Sequence, residues 1–83
     1  MSWSWEYHPD AEYVAAGAPV AFLAEVARRA DELVRAAEAL YLDGTSFEGV
    51  GPGMEAADVS GGMFHYFIAP HLETVFIVQV TAL

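Results

Sequence analysis

Met63-Phe64-His65-Tyr66-Phe67-Ile68-Ala69 is followed by Pro70-His71-Leu72-Glu73 and then by Thr74-Val75-Phe76-Ile77-Val78-Gln79-Val80-Thr81-Ala82. Two runs rich in aromatic and β-branched side chains, separated by a short proline-led turn, read as an antiparallel hairpin. In the second run both parities are apolar, Val75 and Ile77 on one side and Phe76, Val78 and Val80 on the other. A strand apolar on both faces belongs in the middle of a sheet with cover on each side. The hairpin therefore needs further strands beside it and helices against it.

Both are found upstream. Residues 2–8 alternate, with Trp3, Trp5 and Tyr7 on one side and Ser2, Ser4 and Glu6 on the other, the two-residue period of a half-buried strand. His8-Pro9-Asp10 ends that strand, and Pro9 suits the first turn of a short helix over Asp10–Ala16, closed by Gly17. Pro19 opens a longer helix to about Leu42, whose apolar positions Leu23, Val26, Ala27, Ala30, Leu33, Val34, Ala37, Leu40 and Tyr41 follow helical spacing. Its other face pairs Glu25 with Arg29, Arg28 with Glu32 and Asp31 with Arg35, each i,i+4 pair stabilising by roughly 0.2–0.5 kcal/mol. Six of the seven glycines fall between Gly44 and Gly62, which makes that stretch mostly loop, with a short strand around Glu55–Ser60. The fold class that results is α+β: one domain over 1–83, with an N-terminal strand, a helical hairpin with one long helix, and C-terminal antiparallel strands carrying the helices on one face. The other sheet face is then left for dimerisation or ligand.

Charge narrows the function. Twelve Asp and Glu stand against three basic residues, Arg28, Arg29 and Arg35, and the net charge is −9. Such a chain repels nucleic-acid phosphates and anionic lipid, so neither direct nucleic-acid binding nor membrane binding is expected. The apolar fraction of 55% exceeds the usual ~45–50%, and the excess suggests an apolar surface covered by a second copy, so a homodimer is expected. There is no cysteine, hence no disulfide or thiolate chemistry. The amino terminus lacks the basic and apolar regions of a signal peptide, and seven charged residues between Glu25 and Glu38 bar the long helix from a membrane. A cytoplasmic location is the expectation.

The strand–helix–helix–hairpin order, with Trp5-Glu6-Tyr7-His8-Pro9-Asp10-Ala11 at its start, resembles the RelE/ParE-type toxin superfamily. Members commonly open with a strand running into a His-Pro-x-Ala helix start. They close with a Gly-x-Tyr-Arg-Val-type strand, a turn and a β-branched strand. Gly62-Met63-Phe64-His65-Tyr66-Phe67-Ile68 and Thr74-Val75-Phe76-Ile77-Val78 occupy those places here. In ribosome-dependent members, basic residues on the sheet hold messenger RNA and stabilise charge on its phosphate. His65 stands at the hairpin position of the family's arginine, and Asp58 lies on the preceding strand where another often sits. The resemblance thus implies the fold of a degenerate toxin, without ribonuclease activity and without the family's basic tail, since electrostatic stabilisation of the phosphoryl group is missing. It gives equally little support to gyrase inhibition of the ParE kind.

Three histidines, His8, His65 and His71, show no metal-ligand spacing, so no metal is expected. Gly49-Val50-Gly51-Pro52-Gly53 lacks the lysine of a phosphate loop and suits a flap over the sheet; no cofactor is expected. The aromatic set Trp3, Trp5, Tyr7, Phe64 and Tyr66 is mostly core by composition, and is also the candidate binding set. His65, flanked by Trp3, Trp5 or Tyr7 and oriented by Glu6, Asp58 or Glu55, is the candidate acid–base group, with Tyr66 and Asp58 as further catalytic candidates.

Two classes of function are compatible with these residues. The first is a non-catalytic protein–protein module, paired with an antitoxin-like partner or acting on a basic protein as an acidic inhibitor. The alternative is a small enzyme or small-molecule-binding protein of specialised metabolism, built on a sheet-face pocket around His65.

Overall fold

The computed structural model describes residues 3–40 and 53–83. In chain order these form β1 (Ser4–Tyr7), α1 (Ala11–Ala15), α2 (Val20–Leu40), β2 (Glu55–Val59), β3 (Gly62–Ala69) and β4 (Thr74–Ala82). The class is α+β, one long helix and a short one on a four-stranded mixed sheet of order β1-β4-β3-β2. Strand β4 is central, as its two apolar parities require. It pairs antiparallel with β3 and parallel with β1, where Trp5 lies level with Val75 and Tyr7 with Ile77.

The turn between β3 and β4 is a 3-10 turn over Pro70–Leu72, ending at Glu73 in the left-handed conformation (φ 50°). The Thr74 hydroxyl donates to the Leu72 carbonyl at 2.8 Å and closes it. At the other end of the sheet, the Leu83 amide donates to the Gly61 carbonyl at 2.8 Å. A side chain at Gly62 would strike the Thr81 carbonyl oxygen and the Phe22 ring, so only glycine lets β3 begin so close to β4 and α2.

Both helices pack on one sheet face. Val14 of α1 and Phe22, Val26 and Ala30 of α2 meet Ala57, Phe64, Tyr66, Val75 and Ile77 of the sheet, with Trp5, Tyr7, Leu33, Val34, Ile68 and Val80 around them. The indole Nε1 of Trp5 donates to Asp31 Oδ1 of α2 at 2.9 Å, which fastens the edge strand to the helix.

Several sequence expectations are corrected. Pro9 precedes the short helix rather than entering it: Asp10 is the N-cap, its carboxylate accepting the Tyr13 amide at 2.8 Å. On α2 the expected Arg28–Glu32 pair forms (2.9 Å), but Arg28 also takes Glu25 (3.1 Å) and Arg29 turns to Glu32 (3.0 Å) in place of Glu25. The ion pairs among the described residues keep helix spacing, at i,i+3 or i,i+4, while Asp31 accepts from Trp5 of β1 in place of pairing with Arg35. Phe22, absent from the expected stripe, is buried against the sheet, while Leu40 within it is 70% exposed.

The largest correction concerns β4. His65 is level with Gln79 and Phe64 with Val80, but Tyr66 is level with Ile77. Val78 is the extra residue of a β-bulge, and it inverts the parity of the residues after it. Val80 therefore joins Val75 and Ile77 on the helix side, while Gln79 is exposed on the other. A regular strand would have turned the glutamine amide toward the helices, where a buried polar group left without a partner costs roughly 1–3 kcal/mol.

Leu42 and Gly44, the expected end of the long helix, lie outside the described residues. So does the expected loop from Gly44 to Pro52, including most of the glycine-rich stretch.

Candidate functional site: the open face of the sheet

Strand alternation divides the expected site residues into two sets. Trp5, Tyr7, Phe64 and Tyr66 belong to the helix side. Phe64 is fully buried, and Trp3 is 9% and Tyr66 8% exposed. The five aromatics named for binding are thus packing residues. Trp5 and Tyr7 stack edge to face at 5.3 Å, and Phe64 lies against Tyr66 at 5.8 Å. Burial raises the Tyr7 phenol above its ordinary pKa. It raises that of Tyr66 too, with a further push from Glu55 and a smaller opposing pull from Arg29.

Arg29 departs from the expected all-solvent face. Its Nε is buried without a hydrogen-bond partner among the described residues, although its outer nitrogen meets Glu32.

His65 faces the other way. On that open side, β3 contributes Met63, His65 and Phe67, and β4 contributes Phe76, Val78 and Gln79. Ser4 and Glu6 come from β1, and Ala56 and Asp58 from β2. The Phe67 and Phe76 rings lie 5.2 Å apart, and the imidazole of His8 stands edge-on to Phe76 at 5.3 Å and to Phe67 at 6.5 Å. Phe67, Phe76, Val78 and Met63 shield one another only in part and remain partly open. Among the described residues no helix covers this face.

As adjacent residues of one strand, the catalytic candidates His65 and Tyr66 point to opposite faces, His65 to the open one and Tyr66 to the core, and the two cannot serve one pocket. Trp5 and Tyr7 do not flank His65, and Glu55 belongs with Tyr66. Asp58 does share the face of His65: it is level with Met63, two residues along β3 from it. His65 Nδ1 is buried without a hydrogen-bond partner, so among the described residues no carboxylate orients that nitrogen. A cleft of about 320 Å³ lies at the far end of the sheet, bounded by Phe22 and Glu25 of α2, Ser60, Gly61 and Leu83; His65 does not line it. No group of three or more His, Asp or Glu among the described residues stands ready to hold a metal ion. No described helix is long and apolar enough to cross a membrane.

The sequence did not single out Phe67, Phe76 and His8 as a cluster. The signal was the two-sided apolar pattern of β4, which says that something meets its second face. The parallel pairing of β1 brings His8 to Phe76, and nothing in local sequence announces it.

Comparison with protein-family models, with curated proteins and with solved structures gives no match to this chain.

Proposed function

We propose that this chain is a non-catalytic protein-interaction module with a RelE/ParE-like order of elements, acting in the cytoplasm through the open face of its sheet. The observation that carries the reading is the Phe67–Phe76 ring pair, extended by Met63, Val78 and His8 on the face opposite both helices. Paired aromatics with partly open apolar neighbours are the kind of surface that protein contacts use as a centre. The order strand, short helix, long helix and three further strands supports the toxin-like half of the proposal.

Ribonuclease chemistry is not part of it. The open face carries Asp58 and His65 where the resemblance asks for arginine, and all three arginines belong to α2. A developing phosphoryl charge would meet a carboxylate instead of a cation. The alternative enzyme has no observation in its favour beyond the unpartnered His65 Nδ1.

The test is native copurification from the source cells with the wild type and with Phe76→Thr, which keeps a β-branched strand former at that position. The expected result is a stoichiometric partner, or a second copy, held by the wild type and released by the variant while its circular dichroism and melting remain native. Retention of the partner by a folded Phe76→Thr protein would refute the reading.

A further inference from the structure

The open face is mostly apolar along its middle, interrupted by His65 and Gln79 level with each other, and acidic on both margins. Glu6 lies on edge strand β1 and Asp58 on edge strand β2, both exposed, with Phe76, Val78, Met63 and Phe67 on the two strands between them. Among the described residues no lysine or arginine lies on this face. From these features we infer that its occupant is an amphipathic helix of a different protein, with an apolar stripe flanked on both sides by lysine or arginine. The inference rests on the interaction-module reading and names the partner's chemistry.

The dimensions fit that occupant. Three interstrand spacings separate β1 from β2, which puts the two acidic margins roughly 14 Å apart. A helix with its side chains is about 10–12 Å across, so one lying along the strands fills the apolar floor between the margins. Its flanking cations then reach outward to the carboxylates, with their aliphatic stems on the floor. Along the strands, Glu6 is level with Phe76 and Phe67, whereas Asp58 is level with Met63. Four residues of strand separate those levels, roughly 13 Å, or about nine residues of helix. The matching cations therefore stand on opposite flanks of the partner helix, about nine residues apart along it.

A second copy fits the charge poorly. Two such faces together would oppose four carboxylates around the rim, with no arginine among the described residues of either face to compensate. Each copy also brings a net charge of −9. Like charges across an interface reject a partner, while opposite ones steer it in.

The probe is a synthetic amphipathic helix of about 18 residues with a leucine stripe and flanking lysines, beside a twin with glutamates in place of the lysines. Each is titrated into the ¹⁵N-labelled protein, and the perturbed amides are mapped. The expected outcome is saturable binding of the lysine helix alone, with shifts at Met63, Phe67, Phe76 and Val78. Glu6→Gln with Asp58→Asn weakens binding about fivefold or more, while Glu12→Gln with Glu38→Gln, which removes the same charge from the helical layer, changes it less than about twofold.

No binding, equal weakening by the two double variants, or equal binding of the glutamate twin would overturn the inference. So would sedimentation showing a dimer that Phe76→Thr dissociates. If the native partner is still lost on Phe76→Thr, the module reading survives and only the cationic helix is wrong. Shifts confined to α2 would sink both.

Discussion

Exchanging single side chains at Gln79 and Val80 tests the bulge that sets the composition of both sheet faces. Val80→Ala removes two buried carbons, worth at most about 1.6 kcal/mol at ~0.8 kcal/mol each if the side chain were wholly inside. Val80 is only partly buried against the core. The expected loss is therefore about 1 kcal/mol, allowing for a small cavity term. Gln79 is exposed. Gln79→Ala should change stability by no more than about 0.5 kcal/mol.

The assay is urea unfolding followed by the fluorescence of Trp3 and Trp5. With a slope of about 1 kcal/mol per molar urea for so small a domain, the Val80 variant should unfold at a midpoint roughly 1 M lower. The Gln79 variant should overlie the wild type. The reverse order, a costly Gln79→Ala and a silent Val80→Ala, would mean that β4 runs without its bulge. Val80 would then belong to the open face, and the division of residues between the two faces would fail.

Two further outcomes depend on particular contacts. Gly62→Ala places a methyl group against the Thr81 carbonyl and the Phe22 ring, and should cost about 2 kcal/mol or more. Gly53→Ala, with nothing within 4 Å among the described residues, should stay within about 0.5 kcal/mol in the same unfolding assay. The raised phenols of Tyr7 and Tyr66 give an alkaline dependence. The folded state holds these protons more tightly than the unfolded chain, so their contribution is intact below the ordinary tyrosine pKa of about 10 and is lost as pH rises through the higher folded values. Stability measured from pH 8 to 12 should decline above about pH 10, and more shallowly in Tyr7→Phe and Tyr66→Phe; an unchanged slope in both variants would contradict it.

Much of this architecture was legible because its signals are local. The 63–82 hairpin, the central place of β4 and the long helix follow from periodicity, β-branched content and the Pro70–Glu73 turn. The misreadings share a physical cause, which is tertiary contact overriding local pattern. Asp31 satisfies the indole of Trp5 rather than Arg35, because β1 crosses beside α2. Phe22 lies off the expected stripe but packs where Gly61 and Gly62 leave room for its ring. Val80 changes face because of one inserted residue, Val78.

The candidate site was less legible than the fold. Aromatic content alone points to Trp3, Trp5, Tyr7, Phe64 and Tyr66; the last four pack on the helix side, and Trp3 is buried. The open cluster of His8, Phe67 and Phe76 depends on a parallel pairing between segments almost seventy residues apart. His65 lies on the expected strand and shares its face with Glu6 and Asp58, but Trp5, Tyr7, Glu55 and Tyr66 belong to the opposite side of the sheet.

Side-chain footprinting of the protein alone and in its native complex examines the open face directly, by comparing the labelling of each residue in the two states. The proposed function predicts protection at Met63, Phe67, Phe76 and Val78 on complex formation, with the exposed side of α2, including Arg28 and Glu38, labelled as before. Protection of α2 with Phe67 and Phe76 still labelled as in the free protein would contradict it.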